Sequence, residues 1–256
     1  MSLATDMQHK NVLITGAASG LGRAAAISMA TAGANVYLID INADGLEETA
    51  SLVADLMADK ARCITAVVDI SDASACQSAV DNVVNTLGGL DALCNVAGMI
   101  IFANSHEMTP DQWMRTLGVN LNGAYFLSRA AIPHLLEREG AIVNVASSAA
   151  FIGEAYAAAY CASKAGMIGM TKSMAMEYMQ KPIRITAVAP GGMATNIATD
   201  LRPPEGANID LIKRFSGMRG LVTVEEVAAM IVHLATPAGN AFHGTCVMMD
   251  TGITAG

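Results

Sequence analysis

Tyr160 and Lys164 stand four residues apart in the stretch AYCASKAG (159–166). On a helix, side chains at i and i+4 lie one above the other, so this phenol and this ammonium share a face. A free phenol, with a pKa of about 10, is protonated at neutral pH, and a nearby ammonium stabilises its phenolate. The pair therefore has the makings of a general base that takes a proton from an alcohol, or in reverse of the acid that protonates a forming alkoxide. In isolation the same spacing describes an amphipathic helix with a half-buried tyrosine and a solvated lysine. The neighbours favour chemistry. Ser147 stands 13 residues before Tyr160, directly after an apolar run, where its hydroxyl would hold a substrate oxygen beside the phenol. Without Tyr160, two serines after a strand read as a capping turn.

These residues need elements that bring them together, and the chain has the rhythm of such elements. Apolar, β-rich runs recur at 11–15, 35–39, 63–68, 90–95, 141–145, 183–188 and 245–249. Between them lie helix-like segments, among them 21–32, 43–58, 73–87, 110–136 and 156–179. Strand and helix in alternation predict a doubly wound α/β fold, a parallel sheet with helices on both faces. Ligands of such a sheet sit beyond the carboxyl ends of the strands, where the strand order reverses. The segment 196–219, punctuated by Pro203, Pro204, Gly206 and Gly217, breaks the rhythm and is expected to be a mobile insertion over the site.

The residues after successive strands suit a dinucleotide. TGAASGLG (15–22) turns from the first strand into a helix, so that Gly16, Ser19, Gly20, Leu21 and Gly22 would present backbone N–H groups to a pyrophosphate at the positive end of that helix. Asp40 ends the second strand, 18 residues beyond Gly22, where its carboxylate would accept from ribose hydroxyls and repel the 2′-phosphate of NADP. The alternative role of Asp40 as a helix N-cap is one that Asn42 also fits. Neither Ala17, Ala18, Ser19 nor Ile41 supplies a compensating cation, so NAD is expected over NADP. Asp69, followed by Ile70, would accept from the adenine amino group or cap a helix; Asn95 would tie adjacent loops, and Gly98 would let the backbone approach a ligand.

Taken together, TGAASGLG (15–22), Asp40, VDI (68–70), NVAG (95–98), Asn120 in VNLNG, Ser147 in NVASS, YCASK (160–164) and PGGMAT (190–195) resemble the short-chain dehydrogenase/reductase family in order and spacing over nearly the whole chain. The resemblance implies a single Rossmann-like domain of seven strands and a tetrad of Asn120, Ser147, Tyr160 and Lys164. In it Ser147 orients the substrate oxygen, Tyr160 transfers the proton, Lys164 lowers the tyrosine pKa and holds the nicotinamide ribose, and Asn120 anchors a water that links Lys164 to solvent. It further implies cofactor contacts from Ile41, Ala97, Pro190, Gly191, Met193 and Thr195, and a substrate wall that includes Met99, Ile100, Phe151, Ile152, Tyr156, Met193 and Ile197. Ser148 departs from the family spacing by one residue. Val96 and Thr251 differ from the family pattern at positions away from the chemistry. The expected function is an NAD-dependent oxidoreductase that interconverts a secondary alcohol and a ketone, with a 3-oxoacyl thioester reductase or a non-catalytic NAD(H)-binding sensor as alternatives. A homotetramer is expected, or failing that a homodimer.

Composition bounds the rest. The chain has 256 residues, a hydrophobic fraction of 53% and a net charge of −8. That charge disfavours nucleic acid and anionic membrane as partners, and leaves a small-molecule substrate. The five cysteines include no C-x-x-C pair, so reduced thiols, no metal and a cytoplasmic setting are expected. The first ten residues do not resemble a signal peptide. Glu154, the nearest charge to the predicted pocket, is expected to be solvated rather than to bind a substrate amine or hydroxyl. Cys161 is expected to pack on another face of its helix, and Glu225 and Glu226 to form the acidic first turn of a helix.

Overall fold

In the computed structural model, which describes residues 6–56, 62–194, 202–214 and 219–255, seven parallel strands form one sheet in the order β3-β2-β1-β4-β5-β6-β7. The strands are β1 (Asn11–Thr15), β2 (Asn35–Asp40), β3 (Cys63–Val67), β4 (Ala92–Asn95), β5 (Ala141–Val145), β6 (Arg184–Pro190) and β7 (Cys246–Met249). The order reverses between β1 and β4, which places the crevice for a ligand beyond Thr15 and Asn95. Pro190 is tolerated inside β6 because it is the last residue of the strand, two beyond the final β5 partner Val188.

Helices cover both faces, as the apolar runs require. Val12, Ile14, Val36 and Leu38 face one layer with Ala25 and Met29 of α1 (Gly20–Thr31). Leu13, Tyr37, Ile39 and Leu93 face the other, with Val80 and Val83 of α3 (Ala73–Leu87); α2 (Ala43–Ala54) lies between β2 and β3 in the chain. Alternate residues of one strand thus fill two cores.

The single helix expected over 110–136 is divided. It runs as α4 (Pro110–Leu117), a π-helical turn (Gly118–Gly123) and α5 (Ala124–Glu137). The wider turn carries Asn120 inward, where it is fully buried. Thr109 starts α4 with a reciprocal cap to Gln112. The catalytic candidates Tyr160 and Lys164 lie in the first and second turns of α6 (Ala158–Glu177).

Of the predicted insertion, the described part holds one short helix, α7 (Ile209–Lys213). Its two stems are joined where Met193 bridges Val222, and the Val222 N–H donates to Gly192 O at 3.0 Å. The chain then enters α8 (Val224–Ala235), where Glu226 accepts from the Thr223 N–H and hydroxyl at 2.9 Å each, so this acidic pair is a helix start as expected. Among the described residues no helix is long and apolar enough to cross a membrane, and no cluster of His, Cys, Asp and Glu could hold a metal ion.

Candidate active site

The crevice at the switch point is a cleft of about 400 Å³ that runs from Asp40, Ile41, Asp69 and Ile70 at one end to Ser147, Tyr160, Lys164, Pro190, Gly191 and Met193 at the other. Gly16, Ser19, Gly20, Leu21, Gly22, Ala97, Gly98 and Met99 line the middle. The glycine turn is close-packed: a Cβ on Gly22 would collide with Gly16 O. Ser19 is the N-cap of α1 but makes no side-chain cap, so the first N–H groups of the helix open on the cleft. Thr15, absent from the sequence expectations, clasps the two sides of the switch point, its Oγ1 accepting from the Val96 and Ala97 N–H groups at 2.9 Å each. In sequence it was indistinguishable from any β-branched residue ending a strand.

Asp40 is no helix cap. Its Oδ2 accepts from the Ala18 N–H at 3.1 Å and its Oδ1 from the Asn42 N–H at 3.0 Å, while Asn42 itself caps α2 by accepting from Gly45 N–H. The carboxylate thus ties the second strand to the glycine turn and lines the cleft. Asp69 accepts from the Ser71 N–H and hydroxyl, and the N-cap of α3 is Asp72. Two cations are not foreseen from the sequence: Arg23, in an opening that adjoins the cleft at Ser19 and Gly20, and Arg115, which lines the cleft from α4.

Asn95 ties neighbouring elements together: its side chain does not line the cleft but is buried, its Nδ2 donating to Asn144 Oδ1 at 2.8 Å and Ser128 Oγ at 3.2 Å, so it braces β4 against β5 and α5. Asn144 continues the brace by donating to Thr171 Oγ1. Asn120 is also a brace: its Oδ1 accepts from Met99 N–H at 2.8 Å, and its Nδ2 donates to Met99 O and Ser163 Oγ.

Tyr160 and Lys164 do share a face. Lys164 Nζ lies 5.7 Å from the Tyr160 ring centroid and donates to Val145 O at 2.7 Å, with the residue only 3% exposed. Burial pulls the ammonium down to about 8. The same burial pushes the phenol up to about 12, against a hydrogen bond with Ser147 that lowers it, while the charge of Glu154 raises it further. In this arrangement the Lys164 ammonium has a partner of its own. Its Nζ is directed at a carbonyl, and Ser147 is the group that favours the phenolate. A Cβ on Gly98 would lie 3.4 Å from Lys164 Nζ and 3.5 Å from Asn120 Oδ1, so the bare glycine leaves the two polar atoms an opening on the cleft. Ser147 lines the cleft, whereas Ser148 is buried with its Oγ unpartnered among the described residues.

The substrate-side expectations fare unevenly. Met99 and Met193 line the cleft; Phe151 is half exposed and lies outside it, as do Ile100 and Ile152. Tyr156 holds a left-handed backbone (φ 67°), its carbonyl accepting from Ala103 N–H and its hydroxyl from Asn208 N–H, both at 2.9 Å. It joins the loops after β4, β5 and β6 instead of facing the cleft. Thr195 and Ile197 lie outside the described residues. Glu154 is only partly solvated: burial raises its carboxyl to about 7, and its backbone N–H donates to Cys161 Sγ at 3.4 Å. Cys161 accordingly faces the Glu154 loop rather than serving only as packing.

A switch-point cleft with a helix N-terminus at its middle, a carboxylate at one end and a tyrosine, a buried lysine and a buried serine at the other defines a dinucleotide-dependent oxidoreductase. A family model described as short chain dehydrogenase matches residues 10–206. The chain is 35% identical over 249 residues to a D-threitol dehydrogenase of Mycolicibacterium smegmatis, covering 97% of this chain and 94% of that one. It is 34% identical to the 3-oxoacyl-acyl-carrier-protein reductase FabG of Thermotoga maritima, covering 96% and 98%. A crystal structure of a short chain dehydrogenase from Burkholderia cenocepacia J2315 in complex with NADP superposes with a TM-score of 0.87 at 31% identity, covering 97% of this chain and 99% of that one. The chain belongs to the short-chain dehydrogenase/reductase family, whose members bind a nicotinamide cofactor, and the switch-point cleft fits one.

Proposed function

We propose that the protein is an NAD-dependent dehydrogenase that interconverts a secondary alcohol and its ketone. The observation that carries this reading is the partly buried Tyr160 phenol beside Ser147 on the cleft wall, with Lys164 on the same helical face. The cofactor, when bound, accepts a hydride from the carbinol carbon or returns it. The chain's own residues handle the proton. Ser147 Oγ donates to the substrate oxygen, and Tyr160 Oη takes the alcohol proton during oxidation or gives it back during reduction. A phenol raised to about 12 holds its proton at neutral pH, so ketone reduction has its acid in place and alcohol oxidation gains with rising pH. Water in the opening beside Gly98, between Lys164 Nζ and Asn120 Oδ1, would pass protons onward to solvent.

The preference for NAD rests on Asp40 at the ribose end and on Asp44 and Glu48 in the adjoining opening, which together outnumber Arg23. Met99 and Met193 suit a small apolar or cyclic substrate. A second reading, reduction of a 3-oxoacyl thioester, is supported by the likeness to FabG. A homotetramer is part of the proposal, with exposed Trp113, Met114 and Tyr125 on α4 and α5 as apolar surface for a subunit contact.

The test is an initial-rate panel of secondary alcohols, ketones and acyl thioesters with NAD(H) and NADP(H) in parallel, repeated with Tyr160→Phe. The proposal expects NAD(H)-linked turnover of free alcohols or ketones that falls about 10²–10⁴-fold in the variant. Activity confined to thioesters selects the second reading. No turnover with any substrate, or turnover unaffected by Tyr160→Phe, overturns the mechanism.

A further inference from the structure

Beside the ribose end of the cleft lies a second opening, lined by Ser19, Arg23, Asn42, Asp44 and Glu48, which shares Ser19 and Gly20 with the cleft itself. Ala18 joins the two. Its N–H donates to Asp40 Oδ2 at 3.1 Å, and its carbonyl accepts from Arg23 Nη2 at 2.7 Å. The carboxylate that would meet the ribose hydroxyls and a guanidinium suited to a phosphate therefore sit on opposite ends of one residue.

Arg23 is held in place by neutral acceptors: besides Ala18 O, its Nε donates to Thr49 Oγ1 at 3.0 Å. The Thr49 hydroxyl in turn donates to Ala17 O at 2.8 Å, so the anchor is fixed to the glycine turn. Glu48 is a different kind of partner. Its Oε2 accepts from Arg23 Nη2 at 2.5 Å, yet its side chain is 69% exposed against 27% for Arg23. An ion pair so exposed contributes little to stability. Its consequence is electrostatic: it neutralises the cation of the opening, and Asp44 adds a further negative charge.

We propose that Glu48 is a cofactor-selecting residue that acts through Arg23: by pairing with the guanidinium it disarms a ready-made site for a 2′-phosphate, reinforcing the exclusion that Asp40 exerts directly. The inference rests on the reading that the protein uses NAD and that its ribose lies at Asp40. Glu48 touches no reacting atom and serves to position and neutralise Arg23.

The experiment titrates the cofactor-free protein by calorimetry with 5′-AMP and with adenosine 2′,5′-bisphosphate, and follows the ratio of the two dissociation constants, bisphosphate over monophosphate. Wild-type, Glu48→Gln, Arg23→Gln and the double variant form a cycle. Freed from Glu48, a guanidinium facing a phosphate makes charge-assisted hydrogen bonds, so Glu48→Gln is expected to lower the ratio about tenfold. In the Arg23→Gln background the same substitution is expected to change it less than twofold. A general loosening of the turn would weaken both ligands together and leave the ratio where it was. An unchanged ratio in Glu48→Gln overturns the proposal, and so does an equal change in both backgrounds, which would mean that Glu48 acts by its charge alone. Folding of each variant is checked by circular dichroism and thermal melting. Should Arg23→Gln not fold, Arg23→Met takes its place in the cycle. A wild-type protein that already prefers the bisphosphate refutes the NAD reading itself, an outcome distinct from failure of the cycle.

Discussion

Replacing Lys164 by methionine should make the protein more stable while removing its activity. The residue is 3% exposed, and burial lowers its ammonium from the ordinary 10.5 to about 8. At 1.36 kcal/mol per pH unit, that difference means the folded state carries the charge at a cost of about 3 kcal/mol at neutral pH. Methionine matches the stem of the side chain and removes the cost, but also the hydrogen bond that Nζ donates to Val145 O, and a carbonyl left unpaired costs roughly 1–3 kcal/mol. The net gain is about 1 kcal/mol, or roughly 2–4 °C in melting temperature for a chain of this size. The sign of the pH dependence follows from the lowered pKa. Below about pH 8 the lysine is charged in both folded and unfolded states and the full cost is present; between 8 and 10.5 the unfolded chain binds more protons, so wild-type stability from this residue rises with pH. The advantage of Lys164→Met should thus be largest below pH 8 and reverse by pH 10, once the native amine is neutral and only the lost hydrogen bond remains. Urea titrations of both proteins at steps from pH 6 to 10 measure it. A stability difference that does not move with pH would refute the claim that Lys164 is held charged against its burial.

Three further outcomes rest on the same geometry. Gly22→Ala should weaken NADH binding more than tenfold in fluorescence titration, since its Cβ would collide with Gly16 O and the turn must open. Glu154→Gln removes a negative charge that raises the Tyr160 phenol, so the alkaline rise in the rate of alcohol oxidation should shift to lower pH, and any step near pH 7 from Glu154 itself should vanish from the pH–rate profile. Tyr156→Phe deletes the hydroxyl that accepts from Asn208 N–H; hydrogen exchange of 202–214 should quicken by up to about tenfold, the loss of one hydrogen bond, while exchange in the sheet strands stays as it was.

The strand ends were legible because a parallel sheet buried on both faces leaves near-continuous apolar runs. β1, α3 and β5 lie at the predicted residues, and the other strands differ from prediction by a residue or two at their ends. The cleft was legible for the same reason: the loop after each strand must face the switch point, so Gly16, Asp40, Gly98 and Ser147 arrive there together. The break in the helix at Gly118–Gly123 was not, since a π-turn has no composition of its own and is set by what packs around it. Nor was Tyr156, whose type suits a ligand contact but whose hydroxyl is taken up by a partner 52 residues away. Arg23 was not legible either, because its side chain folds back from the first helical turn onto Ala18, a contact that no local spacing implies.

By itself, then, the sequence determined the layered fold, the order of the motifs and the pairing of Tyr160 with Lys164, because periodicity and i,i+4 spacing are local properties of the backbone. Only the tertiary structure decided how those groups are charged. Burial sets Tyr160 at about 12, Lys164 at about 8 and Glu154 at about 7, and desolvation is a property of everything packed around a residue rather than of its neighbours in the chain.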